Sequence, residues 1–388
     1  MPTSSLRCLY SCLKGNVMNK ILVIPDSFKG TLSSARICEI VSERVTAHFP
    51  ACETVCIPVA DGGEGTTDCF LSALGGKCVP VTVKGPFFED MDASYAVLPD
   101  GTAVVETAVC AGLPLVGERR DPTKTTTYGV GQLIRAAIDA GCKTIIVGLG
   151  GSATNDCGCG AAAALGTVFR DAAGNPFVPT GGTLCNVASI EPCALPDGVH
   201  ITAMCDIDNP LYGENGAAYV FAPQKGADSA TVEMLDNGLR HVSQLILRDI
   251  GKDVRALAGG GAAGGLGAGL YAFCKTELQS GIETVLDTVR FDTLLQGADL
   301  VISGEGKLDS QSLSGKAVIG IAGRCKAQHV PLIAVVGGAE RNLPQVYETG
   351  VSAVFPIGRL PEDFSVSKAF SEVNLRETID NILRLLAI

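Results

Sequence analysis

The sequence predicts an α/β protein of two domains. One is a Rossmann-like three-layer domain with a mostly parallel sheet, and the other is a mixed α/β domain inserted into it. Three observations carry this expectation. Short β-branched apolar runs alternate with segments of helical period, the pattern of parallel strands joined by helical crossovers. The runs are continuously apolar, as strands buried on both faces are. The 388 residues include 47 Gly, well above the usual ~7%, and many of these Gly sit where the runs end.

Residues 1–17 do not share the pattern. Arg7, the short apolar stretch Cys8-Leu9-Tyr10 and Lys14 fall short of the ~7–15 apolar residues that a signal peptide needs. They read as a disordered or non-native extension, and Met18 opens the first convincing element. Ile21–Ile24 then runs into Pro25-Asp26-Ser27-Phe28-Lys29-Gly30, and a helix follows with Ile37, Ile40, Val41 and Val45 at helical spacing. Val55–Val59 runs into Asp61-Gly62-Gly63-Glu64-Gly65-Thr66, with a short helix to Leu74. From Cys78 to Glu106 the helical period disappears, and Pro99-Asp100-Gly101 reads as a hairpin turn. Thr144–Leu149 runs into Gly150-Gly151-Ser152-Ala153-Thr154-Asn155-Asp156. A turn-rich β stretch covers Asp171–Pro179. Ile201–Cys205 runs into Asp206-Ile207-Asp208-Asn209-Pro210, and Asp299–Ser303 into Gly304-Glu305-Gly306-Lys307-Leu308-Asp309. Pro331–Val336 and Val351–Pro356 are the last strands, before a helix around Ser371–Leu385. Expected boundaries are 18–78 with 293–388 for the discontinuous Rossmann-like domain and 79–292 for the insertion.

Residues 256–274 carry no charge, and seven of them are Gly. Such a run is a poor helix and weakly hydrophobic for a membrane span, so it reads as loop. Its stretch 259–269 is either a backbone cradle for phosphate or a linker. The lack of Ser favours the cradle.

Composition narrows the function. Hydrophobic residues at 46% and charged ones at 18% exclude a disordered chain. A net charge of −11 argues against coating nucleic acid or anchoring on an anionic membrane. The 16 Cys are too dilute for a disulfide scaffold, and many lie in apolar runs as small buried hydrophobes. No C-x-x-C pair is present, so structural zinc is not expected. The thiols fit a reducing cytoplasm.

Motifs narrow it further. There is no G-x-x-x-x-G-K-[ST], no G-x-S-x-G and no protein-kinase signature. Residues 259–264 match G-x-G-x-x-G formally but follow no strand, which removes the dinucleotide reading's context. Acidic residues do gather at strand ends: Asp26, Asp61, Glu64, Asp156, Asp206, Asp208, Glu305 and Asp309. Any one of them suits a helix cap, but eight over five loops exceed what capping requires. Carboxylates beside Gly-rich loops suit Mg²⁺ with polyphosphate. One carboxylate can take the proton of an attacking hydroxyl. Lys29, Lys307 and Lys316 lie in or beside these loops and can hold an anion. Ligands of open α/β sheets sit outside the carboxyl ends of strands.

Asp26-Ser27-Phe28-Lys29-Gly30 together with Asp61-Gly62-Gly63-Glu64-Gly65-Thr66 resembles the bacterial glycerate kinase family, of the type that phosphorylates D-glycerate with ATP. The segments 148–156, 206–211, 261–267 and 304–312 carry the resemblance to the C-terminus. Cys157 departs from it, standing where a small residue such as Gly is expected, and residues 1–17 have no counterpart. The resemblance implies ATP, Mg²⁺ and transfer to a glycerate hydroxyl, preferentially the 2-hydroxyl, in a cleft between two domains. It leaves open which carboxylate is the base. On this reading Asp206 is the base, with Lys29 on the carboxylate or the transferring phosphoryl and Asp61 assisting. Asp26, Ser27, Lys29, Asn155, Asn209 and Lys307 contact substrate. Gly150, Gly151, Ser152, Gly264, Gly265 and Gly267 approach the nucleotide phosphates. Asp61, Glu64, Glu305 and Asp309 serve the metal. Three alternatives stand beside it: a kinase of another small hydroxy acid, a nicotinamide-dependent oxidoreductase, and a non-catalytic solute-binding protein. Monomer and homodimer are both compatible with the sequence.

Overall fold

The computed structural model describes residues 18–388 except 61, 311, 315–316 and 360–361. The N-terminal extension, Asp61 and Lys316 therefore lie outside the described residues. The described chain forms two compact units, one of residues up to 59 with 285–388 and one of 60–284.

The first unit is built on a five-stranded sheet. Its strands, in spatial order, are Val351–Pro356, Leu332–Val336, Leu300–Gly304, Lys20–Pro25 and Glu53–Cys56. Every pairing is parallel. Numbered along the chain within this sheet the order is 5-4-3-1-2, a doubly wound arrangement whose switch point falls between its first and third strands. Lys20–Pro25 and Leu300–Gly304 are those two strands, in register with Pro25 opposite Gly304. The helix Ser34–His48 starts at Ser33, whose side chain accepts from Arg36 N, and buries Ile37, Ile40, Val41 and Val45 against the sheet. It is tied to the helix Ser371–Leu386 by Arg36–Glu372, Arg376–Glu43 and Arg44–Asp380 ion pairs.

The second unit carries a six-stranded sheet in the order Glu277–Gln279, His200–Met204, Thr144–Gly148, Ala103–Glu106, Asp90–Val97, Lys77–Lys84. The first four strands run parallel and the last two antiparallel. The expected hairpin turn joins Asp90–Val97 to Ala103–Glu106, with Gly101 at φ +87° and Thr102 N donating to Asp100 Oδ1 at 2.9 Å. A small antiparallel sheet, Pro176–Phe177, Val168–Arg170 and Ser189–Glu191, accounts for the second β-rich stretch. Among the described residues no helix is long and apolar enough to cross a membrane.

Two sequence expectations differ from this. The compact units divide at 59/60 and 284/285, not at 78/79 and 292/293. The helix Thr66–Leu74 packs on Ala103–Glu106, and Gly62 lies against Met204 and Gly148, so the segment from 60 onward belongs with the second unit. The reading of 256–274 as loop is corrected: Ala262–Cys274 is a helix, broken at its start by left-handed Ala263, Gly264 and Gly265. Its Gly residues lower helix propensity but admit neighbouring backbone. A Cβ at Gly269 would lie 2.3 Å from Cys157 O, and one at Gly267 would lie 2.6 Å from Gly259 O. Close burial outweighs propensity here.

Candidate active site

In the first unit the polar loops follow the two strands at the switch point. Asp26 N donates to Gly304 O at 2.8 Å, and Asp26 Oδ1 accepts from Ser27 N at 2.6 Å. Glu305 is buried and accepts from the hydroxyl of buried Ser312. Ser312 N donates to Asp309 Oδ1 at 3.3 Å, and Lys307 Nζ sits 3.2 Å from Asp309 Oδ2. Gly306 lies flat against the other loop, where a Cβ would stand 3.3 Å from Lys29 N. The fold thus gathers Asp26, Ser27, Lys29, Glu305, Lys307 and Asp309 at one set of strand ends. Lys29 and Lys307 are exposed.

In the second unit Gly150 N donates to Gly62 O at 2.8 Å, and a Cβ at Gly150 would lie 2.6 Å from Gly63 Cα. Two glycine loops therefore meet backbone to backbone. Glu106, buried at the end of its strand, accepts from Gly65 N and Thr67 N. It satisfies orphan donors at the start of the helix Thr66–Leu74 and fixes the loop that carries exposed Glu64. Asp156 is fully buried and accepts from Thr127 N, Thr127 Oγ1, Gly158 N and Gly160 N at 2.8–3.2 Å. Burial pushes its pKa up, while those four donors act in the opposite direction.

Loops of the second unit line an open cavity of about 360 Å³. Gly63, Gly150, Gly151, Ser152, Asp206 and Lys225 line it. Asp206 follows the strand His200–Met204, is exposed, and accepts from Gly281 N at 2.7 Å. Lys225 is 3% exposed. Its Nζ donates to Ser152 Oγ at 3.0 Å and to Thr154 O at 2.7 Å. Burial lowers its pKa to about 7, and Asp156 opposes that shift. Asn155, next to Thr154, is fully buried, and neither of its amide atoms has a partner.

Sequence reasoning missed Lys225 and Glu106. Lys225 follows Pro223-Gln224 on a short helical turn and no strand end. Glu106 closes a strand but has no glycine cluster behind it. Asn209 Nδ2 donates to Asn215 O at 2.8 Å, and Asn209 O accepts from Gly261 N, so Asn209 braces the entry to the glycine-rich helix. At Gly264 a Cβ would fall 1.9 Å from Thr154 O, and at Gly265 2.9 Å from Cys157 Cα. Those glycines are required by packing, and Gly264 O already accepts from Cys157 N at 3.1 Å. Cys157 and Cys159 are fully buried, and burial pushes both thiols well up, so neither is a reactive thiolate.

Among the described residues no three His, Cys, Asp or Glu side chains converge as a metal site. Glu305 and Asp309 lie on the first unit and Glu64 on the second. Mg²⁺ asks for only one or two carboxylates, with phosphate and water completing its shell. Within the first unit, Glu305 and Asp309, linked through Ser312, are an oxygen donor pair of that size.

Parallel strand ends carrying carboxylates, a glycine-lined cavity and a buried lysine define an α/β enzyme equipped to handle a small anion and a phosphoryl group. Comparison with known proteins narrows the class. Residues 21–387 match the model of the glycerate kinase family. A glycerate kinase of Bacillus cereus is 42% identical over 94% of this chain and 97% of its own. A glycerate 2-kinase of Escherichia coli is 42% identical over 89% and 93%. A crystal structure from Salmonella typhimurium LT2, assigned as a glycerate kinase 2, superposes with a TM-score of 0.84 at 41% identity and covers 95% of this chain and 98% of that one. The chain belongs to the glycerate kinase family.

Proposed function

We propose that the enzyme transfers the γ-phosphoryl group of ATP to the 2-hydroxyl of D-glycerate, giving 2-phosphoglycerate and ADP. The observation that carries this is the cavity of the second unit. There a carboxylate, an ammonium group and glycine backbone line one space, in a chain whose relatives are named glycerate kinases. The regiochemistry draws support from the Escherichia coli relative, which is named a glycerate 2-kinase.

Phosphoryl transfer asks little covalent chemistry of a protein; positioning and charge neutralisation do most of the catalysis. Asp206 is the base that takes the proton of the attacking hydroxyl. The Gly281 N–H bond to its Oδ1 orients that carboxylate. Gly150 and Gly151, at positions that only glycine fits, meet phosphate oxygens through their backbone, with Ser152 beside them. Gly264, Gly265 and Gly267 do so only through backbone atoms. Asn155 has amide atoms to offer a substrate, Asn209 holds its loop, and Asp26, Ser27, Lys29 and Lys307 form the polar rim of the first unit. Lys29 holds the glycerate carboxylate or the transferring phosphoryl. Mg²⁺, held by Glu64, Glu305, Asp309 or Asp61, would supply neutralisation of phosphate charge.

ADP release measured over a panel of hydroxy acids and sugars tests the reading. D-glycerate is expected to give the highest kcat/KM. A clear preference for another acceptor overturns the substrate assignment.

A further inference from the structure

Lys225 lies outside every loop that the sequence marks. It closes the turn Pro223–Lys225, and Gly226 follows at φ +101°. A Cβ at Gly226 would lie 2.5 Å from Arg120 O, and Arg120 Nη1 donates to Gln224 O at 3.3 Å. The turn is therefore pinned. Lysine is almost never fully buried unless paired. Here its two hydrogen-bond acceptors are neutral, Ser152 Oγ and Thr154 O. An ammonium has three donors, so these leave one over. Asp156 acts on Lys225 through space, but four donors already engage the Asp156 carboxylate. The other charged groups nearby are Asp206, on the same cavity wall, and Arg120, behind the turn.

Keeping an ammonium buried without a contacting counter-ion is costly. The fold keeps this one on the wall of the cavity that also holds Asp206, Gly150 and Gly151. Asn155, with its unpartnered amide, belongs to the same 150–156 loop.

We infer that Lys225 is a direct ligand of the substrate oxyanion in this cavity, held without a counter-ion so that an entering anion supplies it. The oxyanion has two sources, the carboxylate of the hydroxy acid and the phosphoryl group in transfer. The inference rests on the proposed function only for the identity of the acid.

Two experiments on the full chain test it. The first needs no variant. Calorimetry at pH 7 in buffers of different ionisation enthalpy counts protons taken up when a ligand binds. A lysine with a pKa of about 7 that becomes fully charged beside an anion takes up roughly half a proton. Uptake with D-glycerate alone identifies the carboxylate as the source. Uptake with a non-hydrolysable ATP analogue and Mg²⁺ identifies the phosphoryl. No uptake with either overturns the inference. The second experiment is Lys225→Met, checked for a cooperative melt. It is expected to lower kcat/KM by about 10²–10³-fold, the loss seen when one preorganised donor to a reacting oxyanion is removed. A rise in KM for the acid marks the carboxylate as the source, and a fall in kcat marks the phosphoryl. A folded variant with unchanged kcat and KM refutes the inference and leaves the proposed function standing. A wild-type enzyme inactive on D-glycerate, with proton uptake retained for the nucleotide analogue, refutes the proposed substrate and leaves Lys225 standing.

Discussion

Replacing Lys225 by Met should make the protein's stability less dependent on pH between about 7 and 10.5. The native lysine has a pKa of about 7, against 10.5 for the exposed side chain. Below pH 7 both native and unfolded chains hold the proton, and the native state bears the full penalty of a buried ammonium. Between pH 7 and about 10.5 the unfolded chain binds more protons than the native one, so native stability rises with pH. Above that window the dependence ends. At 1.36 kcal/mol for each tenfold step in proton affinity, the whole penalty is on the order of 5 kcal/mol. The portion recovered between pH 6 and pH 9 is about 3 kcal/mol. Met fills a similar volume and carries no proton, so the variant lacks this slope. Asp156 keeps its four donors in both proteins. Urea denaturation of both proteins at pH 6, 7.5 and 9 reads the difference directly. The wild type should gain about 3 kcal/mol on the variant from the first pH to the last. Parallel profiles would show that Lys225 is not the buried, desolvated ammonium described above.

Three further expectations concern other parts of the site. Asp206→Asn should lower kcat by at least ~10²-fold, the scale of general-base catalysis, with KM values little changed; steady-state kinetics that show a near-wild-type kcat would remove Asp206 as the base. Lys29→Ala should act mainly on use of the acid; a change confined to the KM for ATP would displace Lys29 from its assigned role. Gly264→Ala places a Cβ 1.9 Å from Thr154 O at φ +66°, where overpacking and left-handed backbone together should cost roughly 2–4 kcal/mol. A thermal melt indistinguishable from wild type would contradict that packing.

Much of the architecture was legible because parallel strands announce themselves. Ile21–Ile24, Ile145–Val147 and Leu332–Val336 are apolar throughout, and the loops after them hold the chemistry. Pairing order was not legible: nothing in a run such as Leu300–Gly304 says that it pairs with Ile21–Pro25, 279 residues earlier, rather than with its neighbours in the chain. The boundaries were not legible either. The break at 284/285 falls inside the helix Gly281–Thr288, where no change of composition marks it. Gly-rich 262–274 misled because helix propensity is a local quantity, and this helix is held by what packs on it. Within the site, Asp206 and the Gly150-Gly151 turn showed themselves by position after a strand. Lys225 did not, because its meaning comes from burial against Ser152 and Thr154, more than seventy residues away, and a single Lys in sequence reads as a surface charge.

The reaction proposed for this family member is phosphorylation of D-glycerate at its 2-hydroxyl. Incubation with ATP, Mg²⁺ and D-glycerate, followed by phosphorus NMR of the product, tests it most directly. One new phosphomonoester signal is expected, coupled to the single proton at C2 and appearing in step with ADP. A signal coupled to the C3 methylene protons, or ADP without any phosphorylated acid, would contradict it.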